Sequence, residues 1–219
     1  MYRGLLALLS LLAPAYADPN ALWRIVHDTC VAHVMANQPP APCAKVDLRD
    51  HYALLKSRQG VAQFLLIPTD RISGIESPAL LAAHAPPLWQ SAWAGRGAVM
   101  ALAPRRLGDN DIILAINPPW GRTQNQLHIH IDCVAPRITR QLDRVRIAPD
   151  WQAIRLDGVA FQVRRFDIRT SPFDLLARLA SAQHTSMADW SMASIGPDIL
   201  LATRAEPTEK LQDHQCAGE

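Results

Sequence analysis

Two histidines, His128 and His130, stand two residues apart in the stretch Gln126-Leu-His-Ile-His-Ile-Asp132 of this 219-residue chain. Neutral imidazoles in such a pair can do two kinds of chemistry. They can ligate a metal ion, or one can attack an electrophile such as phosphorus while its neighbour manages protons. The metal alternative needs a third protein ligand and usually a fourth. Asp132, His51, His84 and His184 are available, but none falls in a recognisable ligand spacing. Immediately upstream lies Trp120-Gly-Arg-Thr-Gln-Asn125. There Gly121 can bring backbone amides close to an anion, and Arg122 and Thr123 can bind phosphate oxygens. That turn favours chemistry at phosphorus. It also makes a metal unnecessary, because its donors can neutralise the charge that develops when a phosphoanhydride is attacked. The plain alternative is two histidines on an ordinary strand, and the donor-rich turn before them argues against it.

Something must hold these side chains in line. Polar and apolar residues alternate from Gln126 to Asp132, the period of a half-buried strand. This predicts Gln126, His128, His130 and Asp132 on one accessible face, with Leu127, Ile129 and Ile131 on the other. Asn117 follows a buried strand, Ile112 to Ile116, and opens the turn. A hairpin is predicted from Tyr52–Ser57 and Gln63–Pro68, joined across Arg58-Gln-Gly-Val61. In the loop after it, Arg71 and Glu76 read either as phosphate and sugar contacts or as a surface ion pair. Helices are expected from Asp18-Pro19, where an N-cap precedes a proline, from Pro86 to about Leu102, from Gln141 to Arg146 and from Ser171 to about Ala182. In the second of these, Trp89 and Trp93 share a face, which suits the core or a base-binding pocket. Gly95 and Gly97 lower its helix propensity but permit close packing on a sheet. Val159–Phe166 alternates as a strand, with Arg164 and Arg165 as surface residues or phosphate contacts. Trp190–Ile195 and Asp198–Thr203 form a second hairpin across Gly196-Pro197. Repeats, low-complexity runs and a sharp internal boundary are lacking, so residues 18–219 are expected to form one catalytic domain.

Residues 1–17 read as a signal peptide or N-terminal anchor. Arg3 gives a basic start, Leu5 to Leu12 an apolar centre, and Ala15-Tyr16-Ala17 a small-x-small cleavage pattern. The apolar run falls short of the roughly 20 residues a spanning helix requires. A formal charge of +2 with acids and bases interspersed argues against a nucleic-acid binder. Four cysteines in an exported chain predict two disulfides. Three pairings are possible for Cys30, Cys43, Cys133 and Cys216. A short loop across the Pro-rich segment favours Cys30–Cys43, which leaves Cys133–Cys216 at the end of the histidine strand.

Asn117, Gly121-Arg-Thr123 and Gln126-Leu-His-Ile-His-Ile131 together resemble the signature of the histidine triad superfamily of nucleotide hydrolases and transferases. One branch is similar over nearly the whole chain, the bacterial CDP-diacylglycerol pyrophosphatases. The matching pieces include Leu66-Ile-Pro-Thr-Asp-Arg-Ile-Ser-Gly-Ile-Glu-Ser-Pro78, Gly121-Arg-Thr-Gln-Asn125, His128-Ile-His130, Ser171-Pro-Phe173 and Asp213-His-Gln-Cys216. The resemblance implies an α+β fold, with an antiparallel sheet, flanking helices and a C-terminal α/β extension. It also implies hydrolysis of CDP-diacylglycerol to phosphatidate and CMP at a membrane surface, in the periplasm and without a cofactor. His128 matches the nucleophile, which would form a cytidylyl-histidine. His130 matches the histidine that contacts phosphate or the leaving oxygen, Thr123 a phosphate-contacting hydroxyl, and Asn117 an asparagine that holds the region. With Gly121 and Arg122 these form the expected substrate-binding set. Gln126 departs from the superfamily pattern, because it replaces the first histidine of the triad. A glutamine can orient a neighbouring imidazole by a hydrogen bond but cannot carry a proton.

Overall fold

A computed structural model describes residues 18–218, so the expected signal segment at 1–17 lies outside it. Ten strands form one antiparallel sheet. They are β1 (Lys45–Asp47), β2 (Tyr52–Lys56), β3 (Phe64–Pro68), β4 (Ile112–Ile116), β5 (Ile129–Val134), β6 (Gln152–Leu156), β7 (Val159–Arg165), β8 (Ser191–Ile195), β9 (Ile199–Thr203) and β10 (Gln212–Asp213). The spatial order is β1-β2-β3-β5-β4-β8-β9-β7-β6, and β10 adds to β5 beyond the end of β3. With helices packed on its faces, this is the α+β architecture that the resemblance implies.

Alternation along each strand sorts the core into faces. Phe64, Leu66, Ile112, Leu114, Ile129 and Ile131 share one cluster with Trp89, Val99 and Phe173. The helices Leu88–Ala94 and Arg96–Leu102 cover this face. The predicted single helix is thus broken at Gly95, whose close approach is real: an added Cβ would sit 3.2 Å from Ile131 and Leu54. Gly97 has no such neighbour. Trp89 is fully buried, with its ring edge-on to Phe173 at 5.9 Å, and so belongs to the core rather than to a base-binding pocket.

The opposite face carries two separate apolar patches. On one side, Val26 and Cys30 of the N-terminal helix pack on Ala53, Leu55, Leu65 and Ile67. That helix runs through Ala21–Trp23, a π-helical Arg24–Val31 and Ala32–Met35. On the other side, Ile138 and Leu142 pack on Ile113, Ala115, Phe161 and Leu201. The helix supplying them is Pro136–Leu142, not the predicted Gln141–Arg146. Pro136 sets it, because proline is pre-organised for the first helical position. β5 lies between the two patches. His130 is flanked in register by Leu65 of β3 and Ala115 of β4, so it faces the gap between them.

Both predicted hairpins form, β2–β3 and β8–β9. The histidine strand is displaced from its predicted span. The ladder begins at Ile129, and the Leu127 amide bonds instead to the Ile72 carbonyl. Its polar face is also not open: Gln126, His128, His130 and Asp132 are all buried. The N-terminal helix and the 3-10 turn Thr208–Leu211 flank this face, which the local alternation cannot reveal.

Candidate active site

A cavity of about 570 Å³ opens over the gap between the two patches. Ala21, Leu22, Ile25, Leu55 and Leu65 form its apolar wall. The polar wall comes from Asn117, Gly121, Arg122, Thr123, His128, His130, Glu209, Lys56 and Arg58. The structure therefore gathers six of the seven predicted catalytic and binding residues around one space.

His128 is held in a defined way. Its Nδ1 lies 2.8 Å from the Gln126 carbonyl oxygen, which can only accept, so Nδ1 carries the proton and donates. Nε2 is then left with its lone pair. Burial holds the His128 pKa below the ordinary imidazole value; the Gln126 carbonyl opposes this and the Arg122 charge adds to it. His130 sits 5.0 Å away, ring centre to ring centre. Burial, then His128 and His214, push its pKa well down. Neither nitrogen of His130 makes a hydrogen bond among the described residues, although Nε2 is 3.4 Å from Glu209 Oε2. Both imidazoles are thus neutral near pH 7, the form a nucleophile needs.

Gln126 does not line the cavity and has no exposed surface. Its side-chain amide donates to the carbonyls of Pro68 and Asp70, at 3.1 and 2.8 Å. It orients His128 through its backbone carbonyl rather than through the side-chain bond predicted for it. Any residue could supply that carbonyl, so a non-histidine side chain at this position leaves the contact unchanged.

The turn also differs from a simple anion cradle. The Gly121 amide bonds to the Pro118 carbonyl at 2.9 Å and is not free for a ligand. What glycine provides here is room, since a Cβ would meet Pro207 at 3.0 Å. Arg122 is not a free cation: its terminal nitrogens grip Glu76 at 2.8 and 2.7 Å, a bidentate fork. Burial raises the Glu76 carboxyl, but Arg122, its own amide and Ser73 outweigh this and hold it below the usual value. Glu76 is thus an ion-pair partner and not a sugar ligand. Arg71 bonds to Asn20 and lies over the Trp23 ring at 5.1 Å, so it fixes the N-terminal helix rather than a phosphate. Arg164 covers Trp151 and Arg165 pairs with Asp198, both away from the cavity.

Groups free to meet a ligand remain. Thr123 is exposed at the cavity wall without a hydrogen-bond partner among the described residues. Asn117 Oδ1 is buried and has no partner among the described residues. Arg58, on the β2–β3 connection, is a cation at the rim that is likewise unpaired among the described residues. Lys56 donates to the Ser57 and Gly60 carbonyls nearby. The sequence pattern marks this connection only as a hairpin turn, although two basic residues flank Ser57, and it does not mark Glu209 at all.

The segment Asp18–Leu22 is clasped onto the site. Gln124 Nε2 donates to the Asp18 carbonyl and Gln124 Oε1 accepts from the Leu22 amide, each at 3.0 Å, while the Asn125 amide reaches the Pro19 carbonyl. The Gly121–Asn125 turn and the helix forming the apolar wall are therefore locked together. Both predicted disulfides form, Cys30–Cys43 and Cys133–Cys216. Among the described residues one group could hold a metal by proximity, Asp132 with Cys133 and Cys216, but its sulfurs are joined in the disulfide and offer no thiolate. Asp132 instead accepts from Gln63 at 3.1 Å and from the Cys133 amide at 2.9 Å, and sits 2.6 Å from His214 Nδ1. No helix among the described residues is long and apolar enough to cross a membrane.

Residues 17–219 match the protein family described as CDH: CDP-diacylglycerol pyrophosphatase. A Yersinia pestis protein named CDP-diacylglycerol pyrophosphatase is 37% identical over 220 residues, spanning 92% of this chain and 85% of that protein.

Proposed function

The chain belongs to the CDP-diacylglycerol pyrophosphatase family, and from that premise we propose that it hydrolyses CDP-diacylglycerol to phosphatidate and CMP through a cytidylyl-His128 intermediate. The observation that carries the mechanism is the Nδ1–H bond from His128 to the Gln126 carbonyl, which leaves Nε2 unprotonated at the cavity. In the first half-reaction Nε2 bonds to the α-phosphorus, and the bond to the bridging oxygen breaks with its electron pair leaving on phosphatidate. A phosphate monoester ionises a second time near pH 6, so this leaving group departs without an acid. Thr123, Asn117 and Arg58 hold the diphosphate, with Arg122 fixed by Glu76 to shape the turn. His130 contacts the phosphate, and water then frees CMP. Residues 18–219 act as one catalytic domain in this reading.

The substrate places the reaction at a lipid surface. Exposed Trp120, next to the turn, suits an interface, since tryptophan settles where one end is apolar and the other wet. Two disulfides suit an oxidising compartment, in keeping with a periplasmic location.

The test compares CMP release from CDP-diacylglycerol in mixed micelles with release from a water-soluble CDP-alcohol, across pH. The lipid is expected to win by at least about tenfold in kcat/KM, worth about 1.4 kcal/mol, the contribution of roughly two buried methylenes. Equal rates would instead indicate a hydrolase of soluble nucleotide anhydrides. The pH profile follows from the direction of the His128 shift. A lowered pKa keeps the reactive neutral form populated as pH falls, so the acid limb of kcat/KM is expected below pH ~6.5, the ordinary imidazole value. A limb above that value would contradict a buried His128 nucleophile.

A further inference from the structure

The second half-reaction presents a problem the first does not. Phosphatidate leaves without a proton, but water is a poor nucleophile until it loses one. Departure of His128 needs no help, because the bond electrons return to Nε2 while Nδ1 keeps its proton on the Gln126 carbonyl. What is required is a proton acceptor beside the α-phosphorus.

We propose that Glu209 is that acceptor, a further catalytic residue that activates the water attacking cytidylyl-His128. Its carboxylate lines the same cavity as His128 and lies 3.4 Å from His130 Nε2. It has no basic partner other than that imidazole among the described residues, since the neighbouring Lys210 pairs with Glu206. Its position is built rather than incidental. The turn Thr208–Leu211 is pinned by the buried Thr208 hydroxyl, which donates to the Met192 carbonyl at 2.9 Å, and by the Ala135 amide on the Leu211 carbonyl. His130, with two ring nitrogens unused, stands beside the carboxylate and can hold the same water. In the step itself, the water oxygen bonds to the α-phosphorus and the phosphorus–Nε2 bond breaks toward His128. The water proton passes to Glu209 and later to solvent, leaving CMP and the starting enzyme.

This assignment rests on the covalent reading, and the experiment separates the two. The full chain carrying Glu209→Gln is mixed with CDP-diacylglycerol labelled in the nucleotide phosphate and quenched over milliseconds to minutes. We expect a phosphatidate burst at the wild-type rate, accumulation of labelled protein, and CMP release slowed by about 10²- to 10³-fold. Hydroxylamine, which attacks without prior deprotonation, is expected to discharge the variant's label rapidly. Label lost as fast from the variant as from wild type would overturn the role of Glu209 alone. A burst slowed as much as turnover would also overturn it, because the residue would then only position His130. Label absent from both proteins would overturn the covalent premise and this assignment with it.

Discussion

Replacement of His128 by asparagine is expected to lower CMP release from CDP-diacylglycerol by at least about 10⁴-fold, roughly 5.5 kcal/mol of transition-state stabilisation. Asparagine is a demanding control. Its amide can still donate to the Gln126 carbonyl that now accepts from Nδ1 at 2.8 Å, but it has no counterpart of Nε2. The fold should tolerate the change, since the backbone there is held from elsewhere by the Leu127 amide on Ile72. Thermal unfolding of the variant checks this, and a melting temperature within a few degrees of wild type assigns the lost rate to chemistry. A variant that retained more than about a hundredth of wild-type turnover would mean that the nucleophile lies elsewhere.

The second large effect concerns stability. Cys133–Cys216 closes a loop of 83 residues in sequence separation and both sulfurs are fully buried. Chain-entropy reasoning values such a cross-link at about 4.5 kcal/mol, mainly through restriction of the unfolded chain. Cys216→Ser is therefore expected to lower the melting temperature by about 10 °C or more, at roughly 2–4 °C per kcal/mol for a chain of this size. The bridge also fastens β10 to the end of β5. Next to it the His214 carbonyl accepts from the Val61 amide at 2.8 Å, which ties down the connection bearing Arg58. Loss of the bridge is expected to raise KM before it lowers kcat. An unchanged melting temperature would show that the bridge adds nothing to the folded state.

What the sequence reveals of this site depends on how local the signal is. His128, His130, Asn117 and the Gly121–Thr123 turn lie within one short stretch, and two-residue alternation predicts a common face for the two histidines. The same locality misleads about exposure. Alternation shows which side chains share a face but not what covers it, so a strand read as half open is buried by a helix that begins a hundred residues earlier in the chain. Arg122 illustrates the same limit. Its residue type suits phosphate, yet Glu76, far away in sequence, takes both ends of its guanidinium, and Gly74 leaves room for the fork. Glu209 gave no sequence signal, because a single acid in a one-turn 3-10 helix has neither period nor motif. The Pro136 helix was legible in principle, since an Ala-Pro step after a strand marks a first helical position. Reading the later polar run as the helix placed it several residues too far along.

Gln126 connects these observations to mechanism. As a side chain it braces the Pro68–Asp70 segment; as a carbonyl it fixes the tautomer of His128. In the proposed mechanism the departure from a third histidine therefore leaves the orientation of His128 intact, and proton handling falls to His130 and Glu209.

The central claim is that CMP passes through His128, and trapping that species tests it most directly. The protein is incubated with CDP-diacylglycerol labelled at the nucleotide α-phosphate, quenched in alkali, which preserves phosphorus–nitrogen bonds, and cut into peptides. The predicted result is label on the peptide containing His128, formed no more slowly than CMP appears and absent from His128→Asn. CMP released at the full rate with no label on protein at any time, or label found on His130, would contradict the account.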